Sequence, residues 1–284
     1  MPACVLPDGA SMAYADEGAG APILLVHGWA AHRDFFRDLR QRLARSHRVL
    51  TPTLRGHPGV GQGSAPLTIE TLAEDIVHFA DRLDLRGVAA LGWSMGAMAL
   101  WAAAPRLGAR LERLIVEDMS PRLVNDTDWR CGLAGGYGAS DVAVTMNEIK
   151  ADWPAYVSRF APRMFAAGVR AERPELVDWA AAEMSKASSA SMASLWASMA
   201  AQDFRDALTR IAQPMLVIHG AESQIYPDGA TRFVANAAPN AEHVVISGAG
   251  HVPHLEAPEA FFHHVEDFVR TTRRPELKSG GAIS

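Results

Sequence analysis

A serine stands between two glycines at Gly92-Trp93-Ser94-Met95-Gly96, and no other stretch constrains the fold as strongly. Leu85-Arg86-Gly87-Val88-Ala89-Ala90-Leu91 before it reads as a short buried strand. Ala97 to Ala104 after it reads as a helix. The chain must therefore turn from strand to helix within a few residues, which holds the serine in a strained conformation at the tip. Positions two before and two after such a serine lie against neighbouring backbone, so a side chain there would clash and glycine is required. The context points to a nucleophile; the alternative is an ordinary turn residue.

The flanking sequence alternates strands and helices. Ala3 to Leu6, the turn at Asp8-Gly9 and Ser11 to Asp16 read as an entry hairpin. Ile23-Leu24-Leu25-Val26 is a continuous apolar run, as expected of a parallel strand covered on both faces. A helix over 35–45, a strand over 47–52, an irregular glycine-rich loop over 54–64 and a helix from Thr68, its N-cap, to Leu83 follow. Leu111 to Asp118, Pro214 to Gly220 and His243 to Ile246 are further strands. This predicts an α/β fold with a mostly parallel central sheet and helices on both faces. Residues 122–207 show no strand, only helical stretches interrupted at Pro154, Pro162 and Pro174 and rich in Met, Ala and Trp. The expected organisation is a core of 1–121 and 208–270, an all-helical cap of 122–207 and a frayed tail of 271–284.

Bulk properties narrow the function. With 49% hydrophobic residues, a mean hydropathy of -0.01 and a net charge of -5, the chain has ample core material and no dense basic block for nucleic acid. Apolar runs are too short for a membrane span, and the N-terminus lacks a basic segment followed by an apolar one. Cys4 and Cys131 form no paired motif, so two thiols in a reducing compartment are expected. These features predict a cytoplasmic protein, monomeric or homodimeric, with no metal or cofactor.

A serine hydroxyl needs a base to remove its proton, and the base needs an orienting acid. In this fold the three follow in the order serine, acid, histidine. His251, in the turn Gly248-Ala249-Gly250-His251 after the last strand, is the candidate base. His27 and His57 precede the serine, His219 follows a different strand, and His254, His263 and His264 fall on the final helices. The acid usually follows the strand Pro214 to Gly220, but that position is Ser223, leaving Glu222 one residue short. Asp118, at the tip of the strand after the elbow helix, is preferred, with Glu117 third. A carboxylate buried there needs a partner, and an imidazole N–H supplies one. The N–H of Met95, at the start of a helix, and that of Trp29, in the turn after the strand 23–26, are the expected donors to an oxyanion. Trp93, His27, Trp153 and Met146 are the expected pocket residues.

Together, His27-Gly28-Trp29, Arg55-Gly56-His57, the serine pentapeptide and Gly250-His251-x-x-His254-Leu255-Glu256 resemble the α/β-hydrolase superfamily over nearly the whole chain. The pairing of His-Gly-Trp with Gly-Trp-Ser-Met-Gly looks like the pimeloyl-carrier-protein methyl ester esterases and related small carboxylesterases. That resemblance implies Trp29 and Met95 as oxyanion donors. It departs at Ser223, where those esterases keep an aspartate, and an acid at Asp118 is instead similar to some small esterases and to the zearalenone lactonases. It departs again where the familiar Asp-x-x-Gly-x-Gly-x-Ser loop is Thr53-Leu54-Arg55-Gly56-His57.

The function expected is hydrolysis of a carboxylic ester of a small or medium apolar substrate through an acyl-enzyme on Ser94. The alternatives are a lactonase, a carbon–carbon bond hydrolase or a perhydrolase on the same three residues, and, from another class, a non-catalytic ligand-binding protein. A dehalogenase would need a carboxylate where Ser94 stands. Arg159, Arg163, Arg170 and Arg173 would suit an acidic carrier protein, but Asp152, Glu172, Glu175 and Asp178 beside them favour a mixed solvated surface.

Overall fold

In the computed structural model, residues 2–270 are described, and the tail expected to fray, 271–284, lies outside them. Among the described residues there are eight strands: β1 (Ala3–Val5), β2 (Ser11–Glu17), β3 (Pro22–Val26), β4 (Arg48–Pro52), β5 (Val88–Trp93), β6 (Leu111–Glu117), β7 (Met215–Gly220) and β8 (Ala241–Ile246). They form one sheet in the order β1-β2-β4-β3-β5-β6-β7-β8. The entry hairpin and β2 against β4 are antiparallel, and every other pairing is parallel. All residues of β5 and β7 are buried, as their largely apolar sequences lead one to expect of strands covered on both faces. The chain runs from β3 out to β4, then back to β5 on the other side of β3. Loops at the carboxyl ends of β3 and β5 thus diverge, leaving the crevice where such sheets bind ligands.

Helices α1 (Arg37–Leu43), α2 (Ile69–Arg82) and α3 (Met95–Leu107) cover the first half of the sheet. The stretch expected to be helical from Phe35 begins as a 3₁₀ turn over Arg33–Phe36. Thr68 caps α2, its Oγ1 accepting from the Thr71 N–H at 3.1 Å. Ile69, Leu72, Ile76 and Phe79 recur at helical spacing on the buried face of α2. Each such side chain contributes about 1.5–3 kcal/mol by leaving water.

Between β6 and β7 the chain forms only helices among the described residues: α4 (Ala139–Ala151), α5 (Trp153–Phe160), α6 (Ala167–Glu172), α7 (Pro174–Met184), α8 (Ser189–Ala200) and α9 (Arg205–Leu208). Pro154, Pro162 and Pro174 stand at first-turn positions, so they begin helical segments rather than interrupt them. Helices α10 (Asp228–Ala237), α11 (Pro253–Glu256) and α12 (Pro258–Arg270) complete the fold.

This helical segment is fastened to the loop after β8. The His251 N–H donates to the Met164 carbonyl at 2.7 Å. The buried Glu256 carboxylate accepts from Ala166 N–H at 2.6 Å on one oxygen, and from Gly250 at 2.7 Å and Val252 at 3.2 Å on the other. Burial pushes the Glu256 carboxyl up, and those backbone N–H groups offset part of the rise.

Candidate active site

Strand β5 runs to Trp93 and helix α3 starts at Met95, leaving Ser94 as the entire connection. Ser94 has φ 52° and ψ -122°, a left-sided conformation that costs a non-glycine residue roughly 1–3 kcal/mol. A Cβ at Gly92 would lie 2.5 Å from the Ala97 nitrogen, and one at Gly96 would lie 2.2 Å from the Val26 carbonyl oxygen. Both expected close approaches are therefore present. Among the described residues, four non-glycines take positive φ, and Ala30, Ser94 and Asp118 of these lie at the carboxyl ends of β3, β5 and β6. Backbone strain is concentrated where the sheet presents its side chains.

The end of β6 is pinned on both sides. Ser94 N–H donates to the Glu117 carbonyl and Asp118 N–H to the Ile218 carbonyl, each at 2.9 Å. The Asp118 side chain is fully buried and accepts three hydrogen bonds. His251 Nδ1 donates to Oδ2 at 2.6 Å, the Ser223 hydroxyl to Oδ2 at 2.7 Å, and His219 Nδ1 to Oδ1 at 2.5 Å. Burial would raise its pKa, but the His219 and His251 donors outweigh it and hold the carboxyl below its ordinary value. With Nδ1–H on the carboxylate, His251 Nε2 keeps its lone pair.

His251 and Ser94 line one small chamber with Trp29, Trp93, Phe160, Met164, Trp196 and Tyr226. The serine meets the imidazole across this chamber rather than through a formed hydrogen bond, an arrangement that commonly tightens when substrate binds. Trp93 Nε1 donates to the His251 carbonyl at 2.9 Å, so the residue before the serine also holds the histidine loop. Burial and the Asp118 charge push the Tyr226 phenol up, and a hydrogen bond with Ser94 offsets part of this. Met95 is the first residue of α3, so its N–H has no carbonyl one turn earlier within the helix. The Trp29 indole is anchored by donation to the Met192 carbonyl at 2.9 Å.

The chamber holds about 10 Å³, roughly the room one water needs. A larger cavity of about 400 Å³ shares its Leu133, Phe160, Trp196 and Ile225 walls and continues between Tyr137, Tyr156, Arg159 and Arg163.

Other expected site residues sit elsewhere. Glu222 is exposed, and its N–H donates to the Ala249 carbonyl. Glu117 accepts from the His254 N–H at 3.1 Å and from His254 Nδ1 at 2.7 Å, a second buried carboxylate–imidazole pair beside the first. Three of the four expected pocket residues line neither of these two cavities. His27 is buried between Gly28 and Leu54, with Nδ1 2.9 Å from one carbonyl and Nε2 accepting the other residue's N–H at 2.9 Å. Trp153 packs edge-on against Trp29 and stacks on Tyr156, lining neither cavity. Met146 is half-buried against the core, because α4 turns Thr145 and Glu148 toward the larger cavity. His219, Ser223 and Tyr226 were not expected at the site. The parallel register Glu117↔Ile218 is the signal that places His219 beside Asp118.

A model of the alpha/beta hydrolase family matches residues 23–264, and the chain belongs to that family. Among its relatives is a pimeloyl-[acyl-carrier protein] methyl ester esterase from Nitrosomonas europaea, 26% identical over 255 residues, covering 89% of this chain and 97% of that one. Among solved structures, an esterase from Exiguobacterium antarcticum superposes with a TM-score of 0.88 at 24% identity, covering 95% of this chain and 99% of that one. An enol-lactonase from Burkholderia xenovorans LB400 does so with a TM-score of 0.82 at 22% identity, covering 95% and 100%. At such identities the two structures establish the fold. Among the described residues no helix is long and apolar enough to cross a membrane, and no group of His, Cys, Asp or Glu has a metal-binding arrangement.

Proposed function

We propose that the protein is a serine esterase in which Ser94 attacks the ester carbonyl, His251 moves the proton and Asp118 orients His251. The observation that carries this reading is the 2.6 Å hydrogen bond from His251 Nδ1 to the fully buried Asp118, in a chamber whose wall includes Ser94. His251 Nε2 takes the serine proton as Oγ bonds to the acyl carbon. The carbonyl oxygen becomes an anion held by the Met95 and Trp29 N–H groups, an interaction of several kcal/mol. Collapse breaks the ester bond, and the leaving alkoxide departs as an alcohol with the proton from His251. Water then repeats the sequence on the acyl-enzyme, releasing the acid and restoring Ser94.

The two cavities support an ester with one compact group at Ser94 and a larger body among Tyr137, Tyr156, Phe160 and Trp196. Because the inner chamber is so small, Phe160, Trp196 or Met164 must turn aside as substrate enters. We favour a free small-molecule ester over a carrier-bound one. Arg173 donates to the Leu255 and Glu256 carbonyls, Arg170 to the Pro162 carbonyl, and Arg159 pairs with Glu148. Most of these arginines are thus already engaged within the chain, in line with the expected mixed surface rather than a strip for an acidic partner.

A fluorophosphonate probe tests the mechanism: the wild-type chain labels at Ser94 and hydrolyses nitrophenyl esters, while Ser94→Ala does neither. A folded wild-type sample that fails to label would exclude it. Nitrophenyl esters of increasing acyl length, run beside a lactone panel, place the substrate within the class.

A further inference from the structure

Asp118 lies between two imidazoles, and only one of them reaches the chamber. His219, the penultimate residue of β7, is buried and absent from the walls of either cavity, yet its Nδ1 is 2.5 Å from Asp118 Oδ1. Its position follows from the sheet. Glu117 pairs with Ile218 in parallel register, and the next residues on each strand, Asp118 and His219, fall side by side. A carboxylate at the end of β6 must draw its donors from β7 and the loops beyond. Were both Asp118 oxygens not engaged, the side chain could rotate about its Cα–Cβ bond and carry Oδ2 away from His251.

We propose that His219 is a positioning residue for the hydrolytic reaction: its Nδ1–H holds Asp118 Oδ1, and with the Ser223 hydroxyl on Oδ2 it fixes the carboxylate plane that faces His251. This rests on the reading of Asp118 as the orienting acid. When His251 takes up the serine proton, the Asp118 carboxylate, held at Oδ1 by His219, already faces the new imidazolium with Oδ2. The ionisable groups around this cluster are Asp118 just beyond β6, Glu117 at the end of β6 with its partner His254, His251 and Glu256 from beyond β8, Tyr226 from the loop after β7 and His243 on β8.

The test uses the full chain with a neutral nitrophenyl ester and compares His219→Leu, His219→Asn and His219→Gln. Loss of an outer supporting partner commonly lowers activity about 10- to 100-fold, and His219→Leu is expected to lower kcat by that amount with KM nearly unchanged. An Asp118 without its second imidazole donor attracts the His251 imidazolium more strongly, so the acid limb of kcat/KM moves to higher pH. In His219→Asn the amide nitrogen occupies the place of Nδ1, and both kcat and the acid limb return close to wild type. In His219→Gln the donor is displaced, and neither returns. Wild-type kcat and an unmoved acid limb in His219→Leu overturn the proposal. So does equal impairment of the asparagine and leucine variants, which would mark a packing role. Should the leucine variant not fold, equal activity of the asparagine and glutamine variants overturns it. Asp118→Asn separates the two levels. If that variant is inactive while the His219 variants behave as wild type, only the role of His219 falls; if it is fully active, the assignment of Asp118 falls too.

Discussion

Moving the acid back to β7 is the most searching test of this site. Asp118 accepts from His251 and Ser223 on Oδ2 and from His219 on Oδ1. In Asp118→Asn one of those oxygens becomes an NH₂ group. If it replaces Oδ2, His251 must accept at Nδ1 and carry its proton on Nε2, the nitrogen required to deprotonate Ser94. If it replaces Oδ1, His251 keeps its tautomer but loses the charge that stabilises its imidazolium. The expected loss in kcat is about 10⁴-fold, or roughly 5.5 kcal/mol of barrier. Ser223 Oγ is 2.7 Å from Asp118 Oδ2, so Ser223→Asp sets a carboxylate within reach of the same imidazole. Alone, that change places two carboxylates together; at about 4 Å and an effective dielectric near 20 they repel by about 4 kcal/mol, so one binds a proton and stability at neutral pH falls. Combined with Asp118→Asn, it restores one charge to the cluster, and kcat/KM recovers about 10- to 100-fold over the single Asp118→Asn variant. Ester hydrolysis and the rate of fluorophosphonate labelling read the outcome, with near-ultraviolet circular dichroism checking the fold. Asp118→Asn retaining activity within tenfold of wild type would refute the reasoning, as would a folded double variant no faster than that single one.

Two further outcomes concern stability. Burial holds His27 well below its ordinary value of 6.5 and lowers His57 from 6.5 to about 4. Between those pH values the unfolded chain binds more protons than the folded one, so the contribution of these neutral imidazoles is complete above about pH 6.5 and is lost as pH falls toward 4. His57 alone accounts for about 3 kcal/mol of that loss, and urea unfolding at pH 7, 5.5 and 4.5 should give a shallower decline in His57→Asn; equal slopes would count against it. Glu256→Gln turns an N–H toward either Ala166 or Gly250 and Val252, costing about 3 kcal/mol in urea unfolding together with a fall in kcat. Unchanged stability in this variant would show that the carboxylate is dispensable to the join.

Backbone features were legible because their causes are local. The apolar runs of β3, β5 and β7, the Thr68 cap and the collision forced on any side chain at Gly92 or Gly96 follow from a few neighbouring residues. The pocket was much less so. Trp153 and Met146 have the apolar character of wall residues, but which face of α4 and α5 looks inward depends on α8 and on Trp29, both distant in sequence. His27 adjoins Trp29 in the chain, yet its ring is held by Leu54 from another loop. His219 and Ser223 are illegible as Asp118 donors in the sequence, because a triad pattern defines only a base and an acid at such positions. Strand register brings both to Asp118 as donors, and that becomes visible only when β6 and β7 are laid side by side.

The join between the helical segment and the loop carrying His251 bears on how such a protein can diversify. Met164 and Ala166 on one side and Gly250, His251, Val252 and Glu256 on the other share a single network of short hydrogen bonds. Exchanging the whole stretch between β6 and β7 for that of a paralogue, the obvious recombination for acquiring a new substrate, would also exchange half of the cradle around His251. Chimaeras that carry residues 162–173 together with 248–256 as one inherited block should keep turnover. Those that cut between the two should lose it, even with every residue around Ser94 intact.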